Sequence, residues 1–254
     1  MLGVRRVALA CAVMVGVAGA LATRGASAGS PHPERIGAGV VRPIRVLLIG
    51  DSLMKQSEAH AQAGLAQRGG FQTLTDARFG TGLINGFDWR TEMSHQIATY
   101  DPDVVVVEFV GNYLPPYLRR PDGSEILPGS NDYFARWSAA ANDAMRRLSA
   151  RGATVYWVLG PHMRDPGLDR MHTGVDLVYV GLRHGWSEVR FVDVYRVLST
   201  PDGRYADTLP GPNGQPEKIR SDDGVHLTDA GARRFAGAVV DRLDADWRPR
   251  VRVP

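Results

Sequence analysis

Five residues of this 254-residue chain have the types and order needed for nucleophilic attack on a carbonyl carbon. Ser52 lies in Gly50-Asp51-Ser52-Leu53, directly after the apolar run Ile44–Ile49. If a helix begins there, the hydroxyl stands beside unpaired backbone N–H groups that favour negative charge. Asp51 or Ser52 could equally be a simple helix N-cap, so the decision rests on partners elsewhere in the chain. His226 is the best base among the seven histidines, because Asp223 precedes it by three residues and Gly224 permits a tight turn between them. Asp223 would accept from one imidazole nitrogen and leave the other free for the Ser52 proton. An Asx-type turn with an incidental histidine is the plainer alternative, and Ser52 upstream tips the balance against it. Gly82 offers a backbone N–H with no side chain in the way, and Asn112 offers a neutral side-chain donor. Each alone is an ordinary turn residue; the signal is their arrival in order.

The remaining histidines divide by place. His32 lies near the start, and His60, His95, His172 and His184 fall in expected helices as surface or core-edge residues. His162, in Gly160-Pro161-His162-Met163-Arg164, stands where it could line a substrate pocket, as does Tyr113. Trp89, Tyr113, Tyr117 and Trp137 could form a face on which a sugar stacks, although aromatic residues more often fill cores.

These residues need elements to carry them. Ile44–Ile49, apolar but for Arg45, and Val104–Val110, apolar but for Glu108, have the pattern of strands buried on both faces of a parallel sheet. Phe71–Arg78 alternates and suits a sheet edge, while Thr154–Leu159 and Glu188–Val192 supply the fourth and fifth strands. Helices are expected over Leu53–Arg68, closed by Gly69-Gly70, over Thr91–Tyr100, and from a cap at Asn131 or Asp132 to Ala150. Two more are expected over Arg170–His184 and from a Thr228 cap to about Leu243. Ser199–Asp222 reads as a long polar loop. The alternation predicts a single α/β domain, a five-stranded parallel sheet between helical layers. In such sheets, sites form outside the carboxyl ends of the strands, where Ser52, Gly82, Asn112 and the Asp223–His226 turn all fall.

The set Gly50-Asp51-Ser52-Leu53, Gly82, Gly111-Asn112 and Asp223-Gly224-Val225-His226 resembles the SGNH, or GDSL-type, hydrolases, across nearly all of residues 44–254. The resemblance implies the flavodoxin-like form of the sheet, with Ser52 as nucleophile, His226 as base and Asp223 as its orienting acid. It further implies an oxyanion hole from the Ser52 N–H, the Gly82 N–H and the Asn112 amide, with no metal and no cofactor. Thr81-Gly82-Leu83, Phe87-Asp88-Trp89 and Arg220–His226 look like an exported bacterial subgroup of that family. Val110-Gly111-Asn112-Tyr113 departs from the family's frequent Gly-x-Asn-Asp, and Gly80 competes with Gly82 as the backbone donor. The α/β-hydrolase elbow is disfavoured, since it needs glycine two residues after the serine and Met54 stands there. Phosphate-loop, dinucleotide and His-Glu-x-x-His zinc motifs are missing.

Residues 1–28 combine Arg5-Arg6, an apolar run from Val7 to Ala22 and Ala26-Ser27-Ala28, the pattern of a secretory signal peptide, with residues 29–43 as a lead-in. An uncleaved anchor and a lipoprotein site at Cys11 are the alternatives. Removing those residues removes the only cysteine and the three arginines Arg5, Arg6 and Arg24, which account for the formal charge of +3. No thiol chemistry and no basic footprint for nucleic acid remain. The expectation is an exported, extracytoplasmic serine esterase without a stable membrane span. Its substrate would be a small-molecule or glycan O-acyl ester, acetyl or short-chain, on carbohydrate or cell envelope. An acyltransferase or a non-catalytic envelope-binding protein would share the same residues.

Overall fold

The computed structural model describes residues 42–251, with side chains through residue 247. The expected signal peptide, and all of the lead-in before residue 42, lie outside the described residues. Five parallel strands form one sheet: β1 (Ile44–Gly50), β2 (Phe71–Ala77), β3 (Val104–Glu108), β4 (Thr154–Leu159) and β5 (Val189–Asp193), in the order β2-β1-β3-β4-β5. The alternating segment is indeed an edge strand. The helices are α1 (Ser52–Arg68), α2 (Trp89–Tyr100), α3 (Asn131–Leu148), α4 (Pro166–Leu182), the short α5 (Tyr195–Leu198) and α6 (Asp229–Val251).

Side chains alternate across a strand, so the apolar runs feed two separate cores. Val46, Leu48, Val104, Val106, Tyr156 and Val158 pack with Leu53 and Leu65 of α1 and Phe235, Val239 and Leu243 of α6. Leu47, Ile49, Val105, Val107, Val155 and Trp157 pack on the other face with Trp89, Met93, Trp137, Met145 and Tyr179 of α2, α3 and α4. Val46–Ile49 and Val104–Val107 have no exposed surface, and each such side chain contributes roughly 1.5–3 kcal/mol by leaving water. The result is three layers, as expected.

Several boundaries differ from expectation, each for a local reason. β3 stops at Glu108, because the Val110 N–H leaves the ladder to donate to the Asp51 carboxylate at 3.2 Å. Ser130, not Asn131 or Asp132, caps α3, its Oγ accepting from the Tyr133 N–H at 3.3 Å. Asp165 caps α4 and Pro166 occupies its first turn, so that helix starts four residues before the expected Arg170. α6 runs on to Val251, past the expected end. The loop 199–222 contains a two-stranded antiparallel hairpin, β6 (Thr208–Pro210) with β7 (Pro216–Lys218). Among the described residues, no helix is long and apolar enough to cross a membrane.

The parallel register sets Gly50 opposite Glu108, and Glu108 opposite Val158. The chain leaving β1 therefore runs beside the chain leaving β3. That adjacency builds the site.

Candidate active site

Gly50 ends β1 directly beside Glu108 of β3. A Cβ there would stand 2.6 Å from the Glu108 carbonyl oxygen and 2.6 Å from the Met54 Cβ, so only glycine allows the turn into α1. The Asp51 N–H donates to the Glu108 carbonyl at 3.2 Å, and the Asp51 carboxylate caps α1 by accepting from the Leu53 N–H at 3.2 Å. The Met54 N–H donates to Glu108 Oε2 at 3.0 Å. Two amides of the first turn are thus held by carboxyl groups, while the Ser52 N–H has no acceptor among the described residues. Ser52 is 7% exposed, a hydroxyl at the mouth of a helix with a free amide beside it.

The histidine arrives from the turn before α6. Asp223 organises that turn with one oxygen, accepting from the N–H groups of Val225 at 2.8 Å and His226 at 2.9 Å. Its other oxygen meets His226 Nδ1 at 2.6 Å, and His226 Nε2 meets Ser52 Oγ at 2.9 Å. An ionised carboxylate only accepts, which places the neutral imidazole's hydrogen on Nδ1 and leaves Nε2 to accept from the serine hydroxyl. Burial pushes Asp223 up, but the hydrogen bonds from the His226 ring and the two backbone amides outweigh it and bring the carboxyl down to about 2. Asp223 is therefore charged at any pH where a histidine base is neutral.

Three residues to which the sequence motifs assign no individual role hold this line in register. Gln56 of α1 donates to the Leu227 carbonyl and accepts from the Leu227 N–H, both at 3.0 Å, fixing α1 against the histidine turn. Arg220 is fully buried and donates to the Val225 carbonyl at 2.8 Å and to the His162 carbonyl at 2.6 Å. Burial without a bonded carboxylate lowers its guanidinium to about 10. Arg164 adds its N–H to the Gly224 carbonyl at 3.1 Å and its side chain to the Asp222 carbonyl at 2.6 Å. The loop after β4 and the histidine turn are thus sewn together.

The expected oxyanion donors are only partly free. The loops after β2 and β3 lie in contact: Asn112 Nδ2 donates to the Thr81 carbonyl at 2.9 Å, which leaves its second amide hydrogen unused. A Cβ on Gly82 would sit 1.7 Å from the Asn112 carbonyl oxygen, so glycine is required for that approach. The Gly82 N–H, however, donates to the Asn85 carbonyl at 3.0 Å inside its own turn. Expecting it as a ready donor is corrected by that bond; the free donors are the Ser52 N–H and one hydrogen of Asn112.

Other expectations change more. Tyr113 is 4% exposed, with its hydroxyl donating to the Ile126 carbonyl and accepting from the Leu118 N–H, so it is a core residue and lines no pocket. Trp89 and Trp137 are buried too, which removes the sugar-stacking face and leaves Tyr117, half-buried and stacked on Tyr113. His162 is half-buried, with Nδ1 bonded to Asp169 at 3.0 Å and its ring edge-on to Tyr195. His172 is inside the fold, not at its surface, and burial lowers its imidazole to about 4, which keeps it neutral.

A search by sequence against curated proteins returned no match. Among solved structures, a carbohydrate esterase family 3 protein from Talaromyces cellulolyticus aligns with a TM-score of 0.58 at 15% identity, covering 81% of this chain and 99% of that one. TesA aligns with a TM-score of 0.55 at 20% identity, over 79% and 98%. The psychrotrophic esterase EstA from a Pseudoalteromonas species aligns with a TM-score of 0.53 at 12% identity, over 80% and 98%. At these identities the likeness is one of fold. The family model described as "Protein of unknown function (DUF459)" matches residues 45–242, most of the chain. The chain thus belongs to the DUF459 family, and the fold that carries its serine, histidine and aspartate is that of the SGNH hydrolases.

Proposed function

We propose that this chain is a serine esterase that works through a covalent acyl-enzyme. The observation that carries the reading is the unbroken line Asp223–His226–Ser52, with contacts of 2.6 and 2.9 Å. Ser52 Oγ attacks the ester carbonyl carbon while His226 Nε2 takes its proton. The carbonyl oxygen becomes an oxyanion, held by the Ser52 N–H and the free Asn112 amide hydrogen. His226 then returns the proton to the departing alcohol as the C–O bond breaks. A water, deprotonated by the same histidine, releases the acid and restores Ser52. Gly82 joins as a third donor only if its N–H gives up the Asn85 carbonyl.

The substrate in this reading is an O-acyl group, acetyl or short-chain, on carbohydrate or cell-envelope material. Support comes from residues 1–28, read as an export signal, and from the charge balance of the remainder. The fold is also shared with the Talaromyces carbohydrate esterase. A series of p-nitrophenyl esters of rising chain length tests it. The highest kcat/KM is expected for acetate, with turnover falling along the series. A maximum at long chains would overturn the short-acyl assignment, and no hydrolysis of any ester would overturn the esterase itself.

A further inference from the structure

Directly beneath Ser52 lie two carboxyl groups that the mechanism above does not use. Asp51 and Glu108 are both fully buried, one at the end of β1 and one at the end of β3, and their side chains face each other. Asp51 accepts from two backbone amides, Leu53 at 3.2 Å and Val110 at 3.2 Å. Glu108 accepts from one, Met54 at 3.0 Å, and its Oε1 meets no N–H or O–H donor. Two ionised carboxylates in contact away from water would repel each other, with only three backbone amides to offset the desolvation of both. One proton between them turns the contact into an O–H···O⁻ hydrogen bond, a strong charge-assisted kind.

The geometry points to a single shared proton, carried by Glu108 and donated to Asp51, so that the turn bearing the nucleophile rests on one buried negative charge. The assignment to Glu108 follows from the amides. Asp51, with two N–H donors, is the better anion; Glu108, with one, can accept from Met54 through one oxygen and donate through the other. Burial raises Asp51 to about 6 and Glu108 well above the carboxylate range, with Asp51 adding to the push on Glu108. His226 faces the pair from the loop before α6 and acts on Asp51 through its charge. From α1, Lys55 and Glu58 pair with each other, and β1 and β4 present only Gly50 and Val158 opposite Glu108. The remaining anion thus sits beside the histidine that must become positive during attack, which makes Glu108 a positioning residue: it fixes the Met54 amide, the Asp51 carboxylate and through them Ser52.

The inference deepens the esterase reading, yet part of its test is independent of activity. Glutamine at position 108 reproduces a protonated glutamate, donating through its amide to Asp51 and accepting from Met54 through its carbonyl. Glu108→Gln should fold and keep ester hydrolysis within about threefold, because a neutral donor replaces a neutral donor. Glu108→Leu should lower kcat by about a hundredfold at similar KM, since the turn loses its registration. Asp51→Asn should be harmful too, because an amide oxygen and an NH₂ cannot both accept from Leu53 and Val110. The second readout is the pH dependence of urea unfolding. A carboxyl that takes up a proton on folding favours the folded state below the ordinary carboxylate range and loses that advantage as pH rises toward its raised value. The wild-type midpoint should fall as pH rises from 5 to 8, and the Glu108→Gln midpoint should fall clearly less. An equal slope in the two proteins, or a Glu108→Gln protein that fails to fold, would overturn proton sharing. If no ester is hydrolysed by the wild type, the esterase reading falls while the unfolding slopes still decide the fate of the proton.

Discussion

Replacing His226 by alanine is expected to lower kcat for a p-nitrophenyl ester by roughly 10⁴- to 10⁶-fold, with KM little changed. The size follows from the geometry. His226 Nε2 is the partner of Ser52 Oγ at 2.9 Å, and among the described residues the other polar partner of that imidazole is Asp223. Without it the serine proton has no acceptor, and the leaving alcohol has no acid. Because nucleophile, base and orienting acid act as a unit, adding Ser52→Ala to His226→Ala should cost little more than either change alone. Asp223→Asn should fall by roughly 10⁴-fold, since an amide can present its NH₂ to Nδ1 and favour the wrong tautomer. Steady-state kinetics with an active-site titrant, alongside circular dichroism to confirm folding, measures all three. A His226→Ala rate within tenfold of wild type would move the base elsewhere in the chain.

The second large effect is expected at a residue that touches no substrate. Arg220→Met keeps much of the apolar stem and removes the two N–H groups that hold the Val225 and His162 carbonyls. The two carbonyls are part-buried, so each one left without a donor costs up to about 1 kcal/mol, offset in part because a buried charge is removed as well. More important is position. Val225 immediately precedes His226, and a shift of about 1 Å in a catalytic ring costs on the order of a hundredfold in rate. The expected outcome is a folded protein with a lower melting temperature, kcat reduced about a hundredfold and KM close to wild type. Arg220→Lys should recover stability better than rate, because one ammonium cannot span both carbonyls in the fixed fork of a guanidinium. Equal recovery of both by lysine would reduce Arg220 to a structural role.

Both predictions concern the histidine turn, and they differ in how visible their residues are in the chain. Ser52, Asp223 and His226 announce themselves because each stands at a strand end or within a four-residue turn, where local spacing decides geometry. The strands were legible for the same reason, since Val46–Ile49 and Val104–Val107 are apolar without a break. Gln56, Arg220 and Glu108 were not legible. Their partners lie 171, 58 and 54 residues away for the contacts with Leu227, His162 and Met54, and only the assembled sheet brings them together. Aromatic residues misled in the opposite direction. Trp89, Tyr113 and Trp137 have the composition of a sugar platform and of a core alike, and nothing local to them separates the two. The β6–β7 hairpin was hidden because Pro210 pairs with Pro216, and proline argues against a strand. The start of α4, by contrast, was available in Asp165-Pro166, a cap followed by a proline in the first turn. The Gly82 amide is the subtlest difference: its place beside Asn112 agrees with the motif, and the bond to Asn85 that occupies it depends on a turn whose shape no spacing rule gives.

The central claim is that Ser52 is a nucleophile activated by His226 and Asp223. A fluorophosphonate probe reads this directly, since it reacts covalently with activated serines, and intact mass followed by peptide mapping locates the adduct. The wild-type protein should take up one probe per chain, on the peptide containing Gly50-Asp51-Ser52-Leu53, with no adduct in Ser52→Ala and greatly slowed labelling in His226→Ala. An unlabelled wild-type protein, or equal labelling of Ser52→Ala, would contradict it.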